Sequence, residues 1–258
     1  MARVDFGRRS GDYARFRPGF PSSFFDRLAE VVALDGIDAL DVGTGPGVVA
    51  LELAARGARV VGVDVAANQI AEAERLAHER ELSARARFVV GRAEATGLPN
   101  ESFDLVTACQ CWAWLDHGAA MREAMRVLRS GGRFVVAHFN YLPAESAVAR
   151  ETEALVLRWN PTWAMANHSG DYPELKGEIA AAGFANVVEF VYDHAQPFTH
   201  EAWRGRIRTC NGVGSGVLSD ADVEAFDSDL EVLLQTKFPR EPLIVPHRVW
   251  AVVGRKRC

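Results

Sequence analysis

Apolar residues fall along this chain in two alternating rhythms, short continuous blocks and longer runs at helical spacing. Ile37 to Val42 (IDALDV) reads as a short strand, and Pro46 to Arg56 (PGVVALELAAR) as a helix rich in Ala and Leu. Arg59 to Val63 (RVVGV) is β-branched and predicts a second strand, followed by a polar-faced helix over Ala66 to Arg80. Further strands are expected at Ala86 to Val90 and at Phe103 to Ala108. A helix follows over Ala119 to Leu128, stopped by Gly131-Gly132, and then a fifth strand at Phe134 to His138. This alternation predicts a parallel sheet with helices on both faces.

The rhythm then breaks. Tyr141 to Asp171 is a Trp-bearing insertion, expected to be helical at Ala144 to Arg158, and Tyr172 to Ala182 reads as a helix closed by Gly183. A sixth strand at Val187 to Tyr192, helices at His200 to Arg208 and Asp220 to Thr236, and a last strand at Val249 to Val253 complete the pattern. Gly212 to Gly216 reads as a loop between cap helices that can hinge them. No flexible linker interrupts the chain, so residues 1–258 are read as one domain. Its parts are an N-terminal arm and helix (1–35), a ligand-binding core (36–140) and helical cap insertions (141–171 and 195–240).

Composition narrows the function classes. With 48% hydrophobic and 24% charged residues among 258, the chain is an ordinary soluble globular protein with ample core. A net charge of -5 counts against nucleic-acid binding. No apolar stretch approaches the roughly 18 to 20 residues that a bilayer requires. The first residues show no apolar secretory segment, and four cysteines are too few for a disulfide framework. A cytoplasmic location is the expectation.

The strongest local signal is Asp41-Val42-Gly43-Thr44-Gly45-Pro46-Gly47, between a strand and a helix. Glycines there allow a tight turn and close approach of a ligand to the backbone, and a helix start offers unpaired N–H groups. Asp64 ends the second strand in VVGVD, where an acid can accept hydrogen bonds from both ribose hydroxyls. A dinucleotide and S-adenosylmethionine both fit such a frame. Pro46 closes a position that a dinucleotide fingerprint keeps open, and Asp41 would repel a pyrophosphate while suiting an ammonium group. The second ligand is favoured.

With DVGTGPG, VVGVD, GRAEATGLPNESFDLV and REAMRVLRSGGRFVV, the chain resembles the class I S-adenosylmethionine-dependent methyltransferases. The likeness is to their small-molecule branch, akin to ubiquinone-biosynthesis and trans-aconitate methyltransferases, and runs from about Tyr13 to Val253. It implies an α/β, Rossmann-like sheet of seven mostly parallel strands, the last antiparallel, under a helical cap. It implies that Gly43, Gly45 and Gly47 line the methionine part of the cofactor, with Asp41 and Thr44 in the same turn. Asp64 would hold the ribose, with Val65 and Gln69 beside it, and Ala93 and Glu94 would meet the adenine. Arg92 departs from the family, where an acid often stands; it either points into solvent or stacks on the ring. YxxFRPxYP segments in relatives cover the cofactor, which implies Tyr13 and Arg17 near its carboxylate; Phe20 replaces a frequent Tyr.

Ligands of open α/β sheets lie beyond the carboxyl ends of the strands. The fourth strand is followed by Cys109-Gln110-Cys111-Trp112-Ala113-Trp114-Leu115-Asp116-His117 and the fifth ends at His138-Phe139-Asn140-Tyr141. Gln110 is placed beside the cofactor backbone. Trp112 and Trp114 are candidates to wall a planar or cationic acceptor, with Tyr141, Trp159, Trp163 and His168 from the insertion and Arg208 for an anionic group. Methyl transfer needs a base only where the acceptor must lose a proton; the candidates are His138, the first choice, with His117 and His168, and Asp116 as an orienting partner. Cys109 and Cys111 lack the further ligands of a zinc site, so no metal is expected. The acceptor is read as the O or N atom of a small, planar or carboxylate-bearing metabolite, with C-methylation, an NAD-type oxidoreductase and a non-catalytic cofactor binder as rivals. No nucleic acid or membrane partner is expected, and a monomer or a homodimer both suit the sequence.

Overall fold

A computed structural model describes residues 10–214 and 217–257, apart from the side chains of Ser10 and Tyr13. Ser215 and Gly216, two of the five residues of the expected hinge loop, lie outside the described residues. The chain divides into two compact units. Of the described residues, the larger holds Gly19–Phe139, Tyr172–Tyr192 and 249–257; the smaller holds 10–18, Asn140–Asp171 and Asp193–Arg248.

The strands are β1 (Asp38–Val42), β2 (Arg59–Asp64), β3 (Ala86–Val90), β4 (Phe103–Cys109), β5 (Leu128–Tyr141), β6 (Ala185–Phe198) and β7 (Leu243–Arg255). The helices are α1 (Ser10–Phe16), α2 (Ser22–Ala29), α3 (Val48–Ala55), α4 (Ala67–Glu79), α5 (His117–Val127), α6 (Ala147–Trp159), α7 (Leu175–Ala181), α8 (His200–Arg208) and α9 (Asp220–Lys237). They build a seven-stranded sheet in the order β3-β2-β1-β4-β5-β7-β6. β1 lies parallel to β2 and β4, β2 to β3, and β4 to β5. β7 runs against β5, because Gly131 N–H bonds Lys256 C=O while Leu142 N–H bonds Pro246 C=O. The seven strands and the antiparallel last strand therefore match the sequence expectation. Among the described residues no helix is long and apolar enough to cross a membrane.

Three expectations need correction. Gly131-Gly132 does not stop α5, which ends at Val127; the pair lies inside β5. There the register jumps from Phe103↔Leu128 to Leu105↔Arg133, so the glycines form a bulge in the strand. α7 starts at Leu175 rather than Tyr172, since Pro173 disfavours a helical conformation at the residue before it. β6 and β7 extend well beyond their apolar centres, because an outward face of charged and polar residues hides the period-two pattern.

In the larger unit β5 shows how the sheet sorts its side chains. Val135, Ala137 and Phe139 join one apolar layer with Phe24, Phe25, Leu53 and Phe88. Phe134 and Val136 join the other, with Leu40, Met121, Ile179 and Phe184. Successive side chains of a strand point to opposite faces, so His138 falls on the second face, toward α7. In the smaller unit Trp203, Phe226, Leu230 and Leu234 are fully buried around α8 and α9.

Candidate functional site

The glycine turn is built by one buried acid. Asp41, at the end of β1, accepts hydrogen bonds from Thr44 Oγ1 at 2.7 Å and Thr107 Oγ1 at 2.6 Å. Burial pushes its carboxyl up to about 6, against the pull of these two hydroxyls and of Ala50 N–H in the first turn of α3. Asp41 thus ties the turn to β4 and to the start of α3. A Cβ on Gly43 would lie 2.5 Å from Cys111 Cβ, and Gly47 is pressed against the Phe88 ring. Gly45 differs: its φ is +54° and nothing stands within 4 Å of the Cβ position. The turn is packed hard at its flanks and open in its middle.

Asp64 faces that opening. Its Oδ2 accepts Gly45 N–H at 2.9 Å and its Oδ1 accepts Ala66 N–H at 2.9 Å. A carboxylate has about four acceptor positions, so two are left for hydroxyl donors. Val65 beside it is 65% exposed, an apolar surface available to a flat ring, while Gln69 is buried on the first turn of α4. Ala93 is buried after β3, and Glu94 accepts Asp116 N–H and pairs with Arg92 at 3.3 Å. Arg92 extends into solvent, 69% exposed.

The loop carrying Ala93 and Glu94 is held by a residue that sequence reasoning passed over. Glu123 on α5 accepts both the N–H and the hydroxyl of Thr96, and Arg126 grips Glu123 and the Leu98 carbonyl. Arg126 foremost, with Thr96, lowers the Glu123 carboxyl to about 2 against its burial. A carboxylate whose folded value is depressed stabilises the fold above its unfolded value, near 4.5, and loses that contribution as pH falls through about 2. Glu123→Gln is therefore expected to cost about 1.5–3 kcal/mol at pH 7. Urea melts down the acid range should show the gap to wild type closing; a constant gap would disprove the assignment.

Gln110 adopts a left-handed φ of +60°, rare for a residue with a side chain and enriched at functional sites. Its N–H bonds the Ala137 carbonyl at 2.9 Å and its Nε2 donates to the Phe139 carbonyl at 2.6 Å. It therefore brackets His138. His138 is 5% exposed, its Nε2 is buried with no hydrogen-bond partner, and its ring stacks on Tyr172. Burial foremost, with the charge of nearby His117, pulls this imidazole down to about 4. Trp112 is 3% exposed and packed between His117 and Phe134, so it is part of the core, whereas Trp114 is 45% exposed. His117 opens α5, its ring contacting the Trp112 carbonyl and Glu178, while Asp116 caps the helix. Cys109 and Cys111 are buried thiols that burial pushes well up, and Cys111 Sγ donates to the Val42 carbonyl.

The remaining candidates belong to the smaller unit. The Tyr13 side chain lies outside the described residues. Arg17 donates to the hydroxyl and carbonyl of Thr209, and Arg208 is engaged by Asp12 and Asp227. Trp159 and Trp163 send their indole N–H groups to Asp229 and Asn211. Tyr141 and His168 do meet, 5.2 Å between rings, in a buried polar cluster that the sequence did not announce. Tyr141 donates to Glu153, and the Arg206 guanidinium lies 4.5 Å over its ring. Burial foremost, with Arg206, lowers His168 to about 4.

A family model described as a methyltransferase domain matches residues 40–136. An uncharacterized methyltransferase of Mycobacterium bovis is 35% identical over 130 residues, half of each chain. A ubiquinone biosynthesis O-methyltransferase of Xanthomonas campestris is 31% identical over 189 residues, 71% of this chain and 74% of the relative. The chain spans about half the length of the curated relatives first matched. Among solved structures, a putative type II methyltransferase from Anaeromyxobacter dehalogenans superposes with a TM-score of 0.62 at 25% identity, over 94% of this chain and 98% of its own. A phosphoethanolamine N-methyltransferase of Haemonchus contortus holding S-adenosylhomocysteine gives a TM-score of 0.59 at 19% identity, over 98% of this chain and 58% of that one, a likeness of fold alone.

Proposed function

Because this chain belongs to the class I S-adenosylmethionine-dependent methyltransferases, we infer that it methylates an O or N atom of a small, planar or carboxylate-bearing metabolite. The observation that carries the reading is the pairing of Asp64 with the open middle of the glycine turn.

The residues present fit the cofactor. The side-chain-free space at Gly45 suits its amino-acid part, and the spare acceptor positions of Asp64 suit two ribose hydroxyls. Val65 and the loop at Ala93 offer the surface for its adenine. When bound, S-adenosylmethionine supplies an electrophilic methyl group on a sulfonium that departs as a neutral thioether. The protein's share is alignment, exclusion of water and removal of the acceptor's proton. His138 serves the last task. Its imidazole is neutral at physiological pH, and Nε2 is a buried nitrogen that receives the O–H or N–H proton as the acceptor bonds to carbon.

Calorimetry on the full chain should show binding of S-adenosylmethionine and silence with NAD; the reverse would overturn the reading. Asp64→Ala removes charge-assisted hydrogen bonds of about 1.5–3 kcal/mol, so affinity should fall about 10- to 100-fold. Unchanged affinity would remove Asp64 from the ribose site. Methyl transfer from labelled cofactor to a panel of phenols, amines and carboxylic acids then identifies the acceptor atom, and silence throughout would favour a non-catalytic binder.

A further inference from the structure

We propose that Tyr172 is a positioning residue for His138, its ring fixing the plane of the imidazole that receives the acceptor's proton. The proposal rests on the reading of His138 as the base.

The two rings lie 3.7 Å apart between centroids and 13° from parallel, a close stack. They meet because strand alternation turns His138 toward the face where the chain enters α7. Behind Tyr172 stands Trp250 of β7, edge-on at 6.3 Å and 75°, so the tyrosine ring is itself backed. The backbone on each side of His138 is held by Gln110 through the carbonyls of Ala137 and Phe139.

A base is usually oriented by a hydrogen bond from a third group. Here the stacked ring of Tyr172 adds an orienting contact of its own. Rotation of the imidazole about its bond to Cβ would drive a ring edge into the tyrosine face. The stack also keeps solvent from one face of the imidazole, which disfavours its charged form. The titratable groups facing His138 are Tyr172 itself and His117 at the start of α5, whose charge acts in the same direction. Glu178 on α7 reaches this region only through its contact with His117.

The test is a proton-carbon NMR titration of the histidine ε1 positions in the full chain, assigned with His138→Gln. The wild-type His138 signal should hold its neutral position down to about pH 4. In Tyr172→Leu its midpoint should rise by about one pH unit or more, toward the ordinary value near 6.5. Tyr172→Phe, which keeps the stack, should restore the wild-type midpoint. Tyr172→Met fills the same space with a flexible chain and carries the Leu expectation should the Leu variant fail to fold. An unmoved midpoint in Leu and Met, or a Phe variant that shifts as they do, overturns the proposal. In methyl-transfer assays the acid limb of the rate should move with the midpoint. Full activity in His138→Gln beside a shifted NMR midpoint would instead overturn the base assignment, which separates the two failures.

Discussion

Replacing His138 with Gln is expected to slow methyl transfer by about 100- to 10,000-fold and to leave S-adenosylmethionine affinity unchanged. Glutamine keeps a polar side chain of similar reach but cannot take up a proton at neutral pH. The effect should therefore appear in kcat, measured with the acceptor that wild type turns over best. Equal rates in variant and wild type would show that the acceptor arrives already deprotonated or attacks without losing a proton first. The pH dependence follows from the same burial. Because the imidazole charges only near pH 4, the wild-type rate should be flat through neutrality and fall on approach to pH 4. Stability carries the matching sign. An unfolded histidine takes up its proton near pH 6.5 and the folded one near 4, so between these values the unfolded chain binds more protons and stability is lost as pH falls. Urea melts of His138→Gln should show a shallower loss across that window.

The second large effect separates two glycines that sequence alone treats alike. Gly43→Ala should lower stability by about 2–5 kcal/mol, because a left-handed residue with a Cβ costs about 1–2 kcal/mol and Cys111 must be displaced for about 1–3 more. Gly45→Ala carries only the backbone strain, since nothing stands within 4 Å of the added carbon. Its main effect should be on the ligand: a methyl group set into the cofactor's space costs about 1–3 kcal/mol, or about 10- to 100-fold in affinity. Urea melts in the absence of cofactor and calorimetry with S-adenosylhomocysteine read the two effects apart. Should Gly45→Ala bind like wild type, the open middle of the turn does not receive the cofactor.

Much of the fold was legible because it rests on local periodicity. The first five strands were placed from β-branched blocks and Ala-rich runs, and β3 matches residue for residue. The bulge at Gly131-Gly132 was misread because two glycines after a helical run carry the same local mark whether they end a helix or kink a strand. The glycine turn and Asp64 were legible because both lie within one short strand-turn-helix-strand unit, from β1 to the end of β2. Glu123 left a weaker trace, an acid three residues before Arg126 on an amphipathic helix, but the Thr96 loop it holds lies far away in sequence.

What the sequence determined by itself is the order of strands and helices along the chain, the glycine turn after the first strand, and the acid that ends the second. Tertiary structure alone decided which aromatic residues are core and which are exposed, burying Trp112 and leaving Trp114 in solvent two residues later. It alone committed Arg208 to Asp12 and Asp227, and it alone set Tyr172 against His138. The reason is physical. Periodicity and turn chemistry act between residues a few positions apart, so they are written along the chain. Desolvation and ring stacking depend on neighbours brought together from distant elements, and those neighbours exist only once the sheet has formed.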